Sequence, residues 1–191
     1  MASKENIVEF GISNLHVCTY DVNSDGSVTM GTPIALPGSK SLSLEPDEEE
    51  QKFYADNTVY YSSFSDNGFT GSIEVAKFTD EFKTTFMNYV KLSDGGVGQY
   101  KNKNRQNVCI MFECEGDAQN RRGILYNVSL GGIQRSYSTR EGSKEPTTET
   151  MDITVVGDNA TGLTRAAYAP DSSAYATLFT TPPKPVAVSE E

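Results

Sequence analysis

Apolar and polar residues alternate along most of this chain, which is the pattern of half-buried β-strands. Residues 14–22 and 148–156 alternate in this way. Residues 107–115 are apolar at successive positions, as in a central strand that is covered on both faces. Residues 123–137 extend as a long strand, with a bulge expected at Gly131-Gly132. The whole pattern predicts roughly eight to ten short strands separated by turns.

One segment predicts a helix, at residues 79–92. Thr79 is a favourable N-cap, and Asp80 and Glu81 lie where the helix dipole favours negative charge. Gly95-Gly96 follows as the expected stop. One apolar stripe is formed by Phe82, Phe86, Tyr89 and Val90. A helix with one apolar face is most simply a cover packed against a sheet.

These elements predict a mainly β fold, either an antiparallel β-sandwich or a partly open barrel, with one packed α-helix. We expect an N-terminal arm at residues 1–12, a single β domain at residues 13–180 and a flexible, proline-rich tail at residues 181–191. Open sheets have edges that must be blunted or paired. We expect these edges to pair between subunits.

The stretch from residue 37 to residue 57 is the most unusual in the sequence. Alternating Leu42 and Leu44 lead into a block of carboxylates, and Phe53 and Tyr54 end it before a turn at residues 55–57. The acidic residues are Glu45, Asp47, Glu48, Glu49 and Glu50. Because adjacent like charges repel, they predict a long solvated loop, or a surface that faces basic groups on another molecule.

The two segments that follow, residues 59–64 and 69–78, are predicted to be a pair of strands. The polar residues Ser65-Asp66-Asn67-Gly68 would form the turn that joins them.

The chain is acidic, with 26 acidic and 16 basic residues and a net charge of −10. It therefore lacks the basic surface that grips nucleic acid, and it would repel DNA. Residues 101–144 carry eight of the basic residues and four of the acidic ones, a net +4 that leaves −14 for the remainder. Acidic and basic parts of different copies can dock head to tail, which builds rings or filaments.

The three cysteines, Cys18, Cys109 and Cys114, do not suggest a disulfide scaffold. Cys109 and Cys114 are five residues apart in one strand, so they lie on opposite faces and cannot share a metal. Buried free thiols in a reducing compartment are the expected state. The N-terminus has no apolar run typical of a signal peptide, and no window is apolar enough to span a membrane. We therefore expect a protein that is neither secreted nor inserted in a membrane.

The motif that most resembles a metal site is Asp21-x-Asn23-x-Asp25-Gly26, which fits the start of a calcium loop. Position twelve of such a loop requires a bidentate glutamate, and Thr32 stands there instead. Aspartate, asparagine and glycine are also what a hairpin turn requires. Asp21, Asn23 and Asp25 are therefore weak calcium candidates, and the main expectation is that the chain holds no metal or cofactor.

No residue pattern predicts catalysis. His16 is the only histidine and lacks a neighbouring nucleophile signature, so a partly packed strand histidine is the simpler interpretation. The exposed carboxylate block does not provide the desolvated acid that a glycosidase pair requires. Gly95-Gly96-x-Gly98 precedes no helix and is not a phosphate loop. An enzyme is the least favoured class.

The order of features over about residues 10–92 resembles the major tail protein, the tail tube subunit of long non-contractile-tailed bacteriophages. In chain order these features are the strand at residues 11–17 and its hairpin, residues 33–38 with the alternating residues 41–46, the acidic stretch ending at residues 53–57, and residues 68–75 running into a short helix with Asp80, Glu81 and Phe82.

This resemblance implies a structural virion protein that polymerises as stacked, hexameric rings into the tail tube, the conduit for genome delivery. Residues 37–57 would contact the adjacent ring, with Glu45, Asp47, Glu48, Glu49, Glu50, Phe53 and Tyr54 as the contact candidates. The partners would be other copies of the chain and the tape-measure, tail-terminator and distal tail proteins. DNA would pass through the lumen without specific binding, and assembly would take place in the host cytoplasm.

Two alternatives remain open. A monomeric β-sandwich binding module would recognise a carbohydrate or a host surface, and the ten tyrosines suit sugar stacking although the chain has no tryptophan. A calcium-dependent adhesion module would rest on Asp21, Asn23 and Asp25.

Overall fold

The computed structural model describes residues 11–101, 104–116, 119–137, 139 and 146–186. In this part of the chain the strands are β1 (Gly11–Val22), β2 (Val28–Met30), β3 (Ile34–Ala35), β4 (Ser39–Ala55), β5 (Thr58–Val75), β6 (Val90–Lys91), β7 (Val97–Gly98), β8 (Val108–Glu115), β9 (Arg122–Arg135), β10 (Glu149–Val155) and β11 (Arg165–Tyr168). The helix α1 is Asp80–Phe86.

The main sheet has the antiparallel order β2-β1-β8-β9-β10-β5-β4, with β3 paired to β1 and β11 paired to β9. The first half of β9 pairs with β11 and the second half with β10, so two strands share one edge of β9. The sheet curls until β4 comes near β1, yet no ladder joins these two strands in the described residues. Over the described ranges the fold is therefore mainly β, antiparallel and not closed, with one helix, as the sequence predicted.

Strand β8 is buried on both faces, which confirms the prediction from its continuous apolar run. Val108 and Ile110 face one core cluster, whereas Cys109 and Met111 face a second cluster on the other side. The first cluster lies under α1 and includes residues of β5 and β10. The second is covered by the C-terminal segment through Leu178. The sheet is thus sandwiched between two apolar layers that share its central strands.

Helix α1 begins as predicted and ends earlier than predicted. The Thr79 hydroxyl accepts a hydrogen bond from the Phe82 amide, and Phe82 and Phe86 are buried. The helix stops at Phe86 because Asn88 adopts a positive φ of 54° and Val90–Lys91 pair with Val97–Gly98 as a small hairpin. The prediction of a helix over residues 79–92 is therefore wrong at its C-terminal half. Gly95-Gly96, the expected stop of the helix, forms the turn of this hairpin.

The bulge expected at Gly131-Gly132 is present. The β9–β10 register moves from Met151 opposite Ile133 to Ile153 opposite Leu130, which leaves one extra residue on β9. A Cβ on Gly131 would lie 2.6 Å from the Asp152 carbonyl oxygen, so the bulge requires glycine there.

The predicted ends of the domain need correction. Gly11 and Ile12 belong to β1 and pair with Glu115 and Cys114, so they are not part of an arm. In the expected C-terminal tail, Pro182 is buried and the Pro183 carbonyl accepts a hydrogen bond from the Tyr126 hydroxyl at 3.1 Å. Burial of Pro182 and the bond to Tyr126 of the second cluster hold this part of the segment to the sheet. Residues 1–10 and 187–191 lie outside the described residues.

Candidate assembly surface

The acidic stretch is the edge strand of a long β-hairpin, and the prediction of a loop at residues 37–57 is wrong. Strand β4 runs from Ser39 to Ala55 and pairs with β5 along its whole length. A strand can hold this acidic block because successive side chains point to opposite faces, which separates neighbouring carboxylates. The turn is made by Asp56 and Asn57 with φ values of 51° and 60°, as a tight type I′ hairpin turn requires.

Residues 58–75 form one strand, so the predicted pair of strands with a turn at residues 65–68 is also wrong. Their partner is β4, and the polar residues at 65–68 mark a bulge. Gly68 has a φ of 100°, and a Cβ there would lie 2.1 Å from the Val155 carbonyl oxygen. Polar residues and glycine occur here because the strand kinks and its backbone comes close to β10. The same residue types are typical of a turn.

The hairpin has an inner part in the sheet and an outer part outside it. Residues 69–75 of β5 pair with β10 on the edge opposite β4, so the inner part is three strands wide. Beyond Pro46 and Phe69 the hairpin consists of two strands only, and no third strand pairs with it in the described residues. We refer to residues 47–66 as the ribbon. Two-stranded hairpins of this kind are marginally stable in water without further contacts.

The ribbon concentrates exposed apolar surface near its tip. Half of the large apolar side chains that are exposed in the described residues lie between residues 53 and 64: Phe53, Tyr54, Val59, Tyr60, Tyr61 and Phe64. Tyr60 is 76% exposed and Phe64 is 67% exposed. The rings of Phe53 and Tyr60 meet edge to face, with centroids 6.5 Å apart. Exposed apolar side chains concentrated in this way are typical of an interaction surface.

The carboxylates lie between this aromatic tip and the sheet. Glu48 is directly opposite Asp66, Glu49 is opposite Ser65 and Glu50 is opposite Phe64. Lys52 donates to the Glu50 carboxylate at 2.7 Å. Glu48 and Asp66 share one face as a like-charge pair, which destabilises an isolated hairpin. The structure therefore brings six of the seven predicted contact residues onto one ribbon, whereas Glu45, opposite Thr70, lies in the inner part of the hairpin. The ribbon also carries Val59, Tyr60, Tyr61 and Phe64, for which the sequence predicts only a strand.

The turn that contains the weak calcium candidates is held by its own side chains. The Asp25 carboxylate accepts hydrogen bonds from the Ser27 hydroxyl at 2.7 Å and from the Ser27 amide at 2.9 Å. These bonds lower the pKa of Asp25, the hydroxyl having the larger effect. Asn23 donates to Ser27 and Thr29, and Asp21 accepts from Gln106. Calcium binding by Asp21, Asn23 and Asp25 stays a prediction.

No metal-ligand cluster of three or more histidine, cysteine, aspartate or glutamate side chains occurs among the described residues. In the same part of the chain, no helix has the length and apolar character needed to cross a bilayer.

The single histidine is partly packed, as expected. The His16 Nδ1 atom donates to the Asn14 carbonyl oxygen at 2.9 Å, and its ring packs on Phe179 with a centroid distance of 4.7 Å. This ring is therefore engaged with the C-terminal segment that covers the second cluster.

The cysteines show one arrangement that the sequence did not reveal. Cys109 and Cys114 lie on opposite faces of β8, as predicted, because Cys109 faces the second cluster and Cys114 lies beside Leu44 and Phe112. Cys18 is directly opposite Cys109 across β1 and β8. Interaction between the two thiols lowers the pKa of Cys18 and raises that of Cys109, and the Cys109 thiol donates to the Met30 sulfur at 4.0 Å. Only the strand register, which is set by tertiary structure, places these two residues together.

A buried polar pair was also missed. The Tyr20 hydroxyl donates to the Asp158 carboxylate at 2.5 Å across 138 residues of sequence. Burial, followed by this hydrogen bond, raises the pKa of Tyr20. Burial opposes ionisation of Asp158, yet hydrogen bonds from Tyr20 and Thr161 leave its pKa below the usual value. No local pattern links an aspartate in a turn to a tyrosine so distant in sequence.

Comparison with known proteins gives only distant structural neighbours. No protein-family model matches the sequence, and no curated protein matches it. The cap that terminates the tube of the anti-feeding prophage is 10% identical, covers 88% of this chain and 99% of its own, and has a TM-score of 0.48. The baseplate of the anti-feeding prophage is 11% identical, covers 80% and 92%, and has a TM-score of 0.42. At this distance neither neighbour carries an argument about function.

Proposed function

We propose that this chain is a non-catalytic structural subunit of a phage tail. The subunit polymerises as stacked rings into the tube that delivers the genome, and the resemblance implies that each ring is a hexamer. The ribbon is the observation that carries the proposal. It exposes six large apolar side chains beyond the edge of the sheet, in a hairpin that no other element of the described chain supports. Such a ribbon gains stability when a second molecule covers it.

The charge of the chain agrees with a conduit for DNA. A net charge of −10 repels the phosphate backbone, so DNA moves along such a surface without being held. The partners in this proposal are other copies of the chain, followed by the tape-measure, tail-terminator and distal tail proteins at the ends of the tube. The subunit is assembled in the host cytoplasm and functions in the virion.

The test is the state of the purified chain in solution. We expect negative-stain electron microscopy to show rings or tubes, and sedimentation velocity to show association that increases with protein concentration. Because exposed charges are screened within about 8 Å at physiological ionic strength, the association is expected to change between low and high salt. A chain that stays monomeric at every concentration and salt concentration contradicts the proposal.

A variant of the ribbon separates folding from assembly. Replacing Asp47, Glu48, Glu49 and Glu50 by serine is expected to leave the melting temperature within a few degrees of wild type, because these side chains are exposed. The same variant is expected to form fewer or shorter tubes. The matched control removes four exposed carboxylates elsewhere, at Glu81, Asp94, Glu115 and Asp171, and is expected to assemble. A ribbon variant that unfolds, or that polymerises normally, shows that the assignment is wrong.

The exposed tyrosines also favour a second function, a monomeric module that binds carbohydrate or a host surface. Tyr54, Tyr60 and Tyr61 present rings to solvent at the ribbon tip, where sugars could stack. A monomer that binds glycans in a screen, and loses binding when Tyr60 is replaced by serine, would support this module over the tail subunit. A calcium-dependent form requires a rise in melting temperature when calcium is added, and an unchanged value counts against it.

A further inference from the structure

An apolar groove lies beside the root of the ribbon, in the gap where the curled sheet does not close. It consists of two adjoining cavities of about 520 and 460 Å³, and Leu44, Phe112 and Cys114 line both. The first cavity extends to Arg165, Ala166 and Ala167 of β11. The second extends to Gly11 and Ile12 of β1 and to residues 40–42 of β4. Cavities of this size are in the range that holds several ring-sized groups.

The floor of the groove is made of core side chains that the fold covers only in part. Ile12, Leu42, Leu44 and Phe112 pack against the first core cluster but remain partly accessible. They are accessible because β4 and β1 approach one another without pairing, so no backbone ladder covers them. The groove therefore leaves apolar surface in contact with water, as the ribbon tip does.

The charged side chains that line the groove are cationic. Lys40, Arg121 and Arg165 line the two cavities, and no aspartate or glutamate is among their lining residues in the described part of the chain. The Arg165 guanidinium lies over the Phe69 ring, 4.9 Å from its centroid, at the point where the ribbon leaves the sheet. The Lys40 ammonium contacts Glu74 at 2.7 Å and is still largely exposed. The charged side chains that line the groove are therefore opposite in sign to the carboxylates of the ribbon.

We propose that the groove of one copy receives the ribbon of a second copy. The aromatic tip is complementary to the apolar floor of the groove, and the carboxylates of residues 47–50 are complementary to its cationic side chains. One groove therefore offers a partner for both the apolar and the acidic part of the ribbon. This inference rests on the proposed function, in which the ribbon is the assembly contact, and it names the surface that the ribbon binds.

The ribbon cannot occupy the groove of its own chain. Leu44 lies in the groove and the hairpin turn follows Ala55, eleven residues further along the same strand. At about 3.3 Å per residue, the tip of a continuous strand is about 35 Å from its own groove. The contact is therefore between copies and heterologous, with a donor ribbon and an acceptor groove on every subunit, so it repeats from one subunit to the next.

The decisive variant adds a negative charge to the groove without touching the ribbon. Ala167→Glu places a carboxylate at an exposed position of the groove, and the matched control Ala35→Glu makes the same change on the exposed strand β3 outside it. We expect A167E to raise the protein concentration required for assembly by about tenfold or more, whereas A35E assembles like wild type. Both are expected to melt near the wild-type temperature. If A167E folds and assembles normally, the groove is not the acceptor, although the tail-subunit proposal still stands.

Crosslinking tests the same contact without a charge change. Tyr60 is replaced by the photoreactive residue benzoylphenylalanine, and the protein is mixed with ¹⁵N-labelled wild-type chain before irradiation. We expect mixed-label crosslinks from residue 60 to peptides that contain Leu42–Leu44, Phe112–Cys114 or Arg165–Ala167. Mixed-label crosslinks that map elsewhere overturn the groove while retaining a ribbon contact. Complete absence of mixed-label crosslinks, together with a monomeric wild type, overturns both proposals.

Discussion

Strand β8 and the ribbon use similar residues with opposite results. Both are rich in large apolar side chains and both belong to the same antiparallel sheet. Val108, Cys109, Ile110 and Met111 of β8 have no exposed surface, since one core cluster covers each face. On the ribbon, by contrast, Tyr60 and Phe64 project into solvent on a hairpin two strands wide.

The difference separates the residues that hold the subunit together from those available to join subunits. Burying apolar area contributes about 25 cal/mol per Å², and β8 receives this contribution within the monomer. The ribbon receives it only when another molecule covers the aromatic tip. We therefore expect substitutions in β8 to change the free energy of unfolding, and substitutions in the ribbon to change association.

The largest expected effect compares the same substitution in the two regions. Val108→Ala removes two buried methyl groups from β8 and leaves a cavity, which is expected to lower the free energy of unfolding by about 2–4 kcal/mol. Val59→Ala makes the same change on the ribbon, where half of the side chain is exposed, and is expected to stay within about 0.5 kcal/mol of wild type. Urea denaturation at a protein concentration that keeps the chain monomeric measures both. Equal losses would show that the ribbon belongs to the monomer core.

The sequence predicted the elements whose pattern is local. The central position of β8 followed from its continuous apolar run, the helix start from Thr79 and the two acidic residues after it, and the bulge from Gly131-Gly132. Each of these features depends on residues adjacent in the chain.

What could not be predicted depends on strand register and on solvent exposure in three dimensions. The carboxylates at residues 47–50 resemble a loop because like charges repel, but alternation across a pleated ribbon separates them. The pairing of Cys18 with Cys109, the bond between Tyr20 and Asp158, and the groove beside Phe112 all bring together segments that are distant in sequence. Residues 65–68 were misleading because a bulge and a turn require the same amino acids.

The second prediction tests a long-range bond of the second core cluster. Tyr20→Phe removes the hydroxyl that donates to Asp158 and retains the ring. Losing a hydrogen bond to a charged group in a buried site is expected to cost about 1.5–3 kcal/mol in the free energy of unfolding. Urea denaturation at pH 7 measures the loss. The control Tyr100→Phe changes an exposed tyrosine, and is expected to have no effect.

The same bond gives a dependence on pH. The pKa of Asp158 is lowered in the folded chain, so its contribution to stability is present above the pKa of the unfolded chain, close to 3.8. That contribution is lost as the pH falls from this value through the lower pKa of the folded chain, because the unfolded state then takes up the proton more readily than the folded state. The difference in stability between wild type and Tyr20→Phe is expected to shrink when the pH is lowered from 5 towards 3. A difference that grows in this range would contradict the assignment.

The smallest expected effect concerns the like-charge pair on the ribbon, and it has the opposite sign. Glu48→Gln removes one of two carboxylates that face each other across β4 and β5, which is expected to stabilise the ribbon by about 0.2–1 kcal/mol. Amide hydrogen exchange of residues 48–66 in the monomer detects local opening, and is expected to slow by about 1.4- to 5-fold. Glu49→Gln is the matched control, because Glu49 is opposite Ser65 and has no like charge directly across from it. If the monomer ribbon is held by other contacts, both variants will exchange at the wild-type rate. Slower exchange in Glu48→Gln alone would show that repulsion between Glu48 and Asp66 destabilises the uncovered ribbon. Strand β8, which is covered on both faces, has no such pair of like charges among Val108, Cys109, Ile110 and Met111.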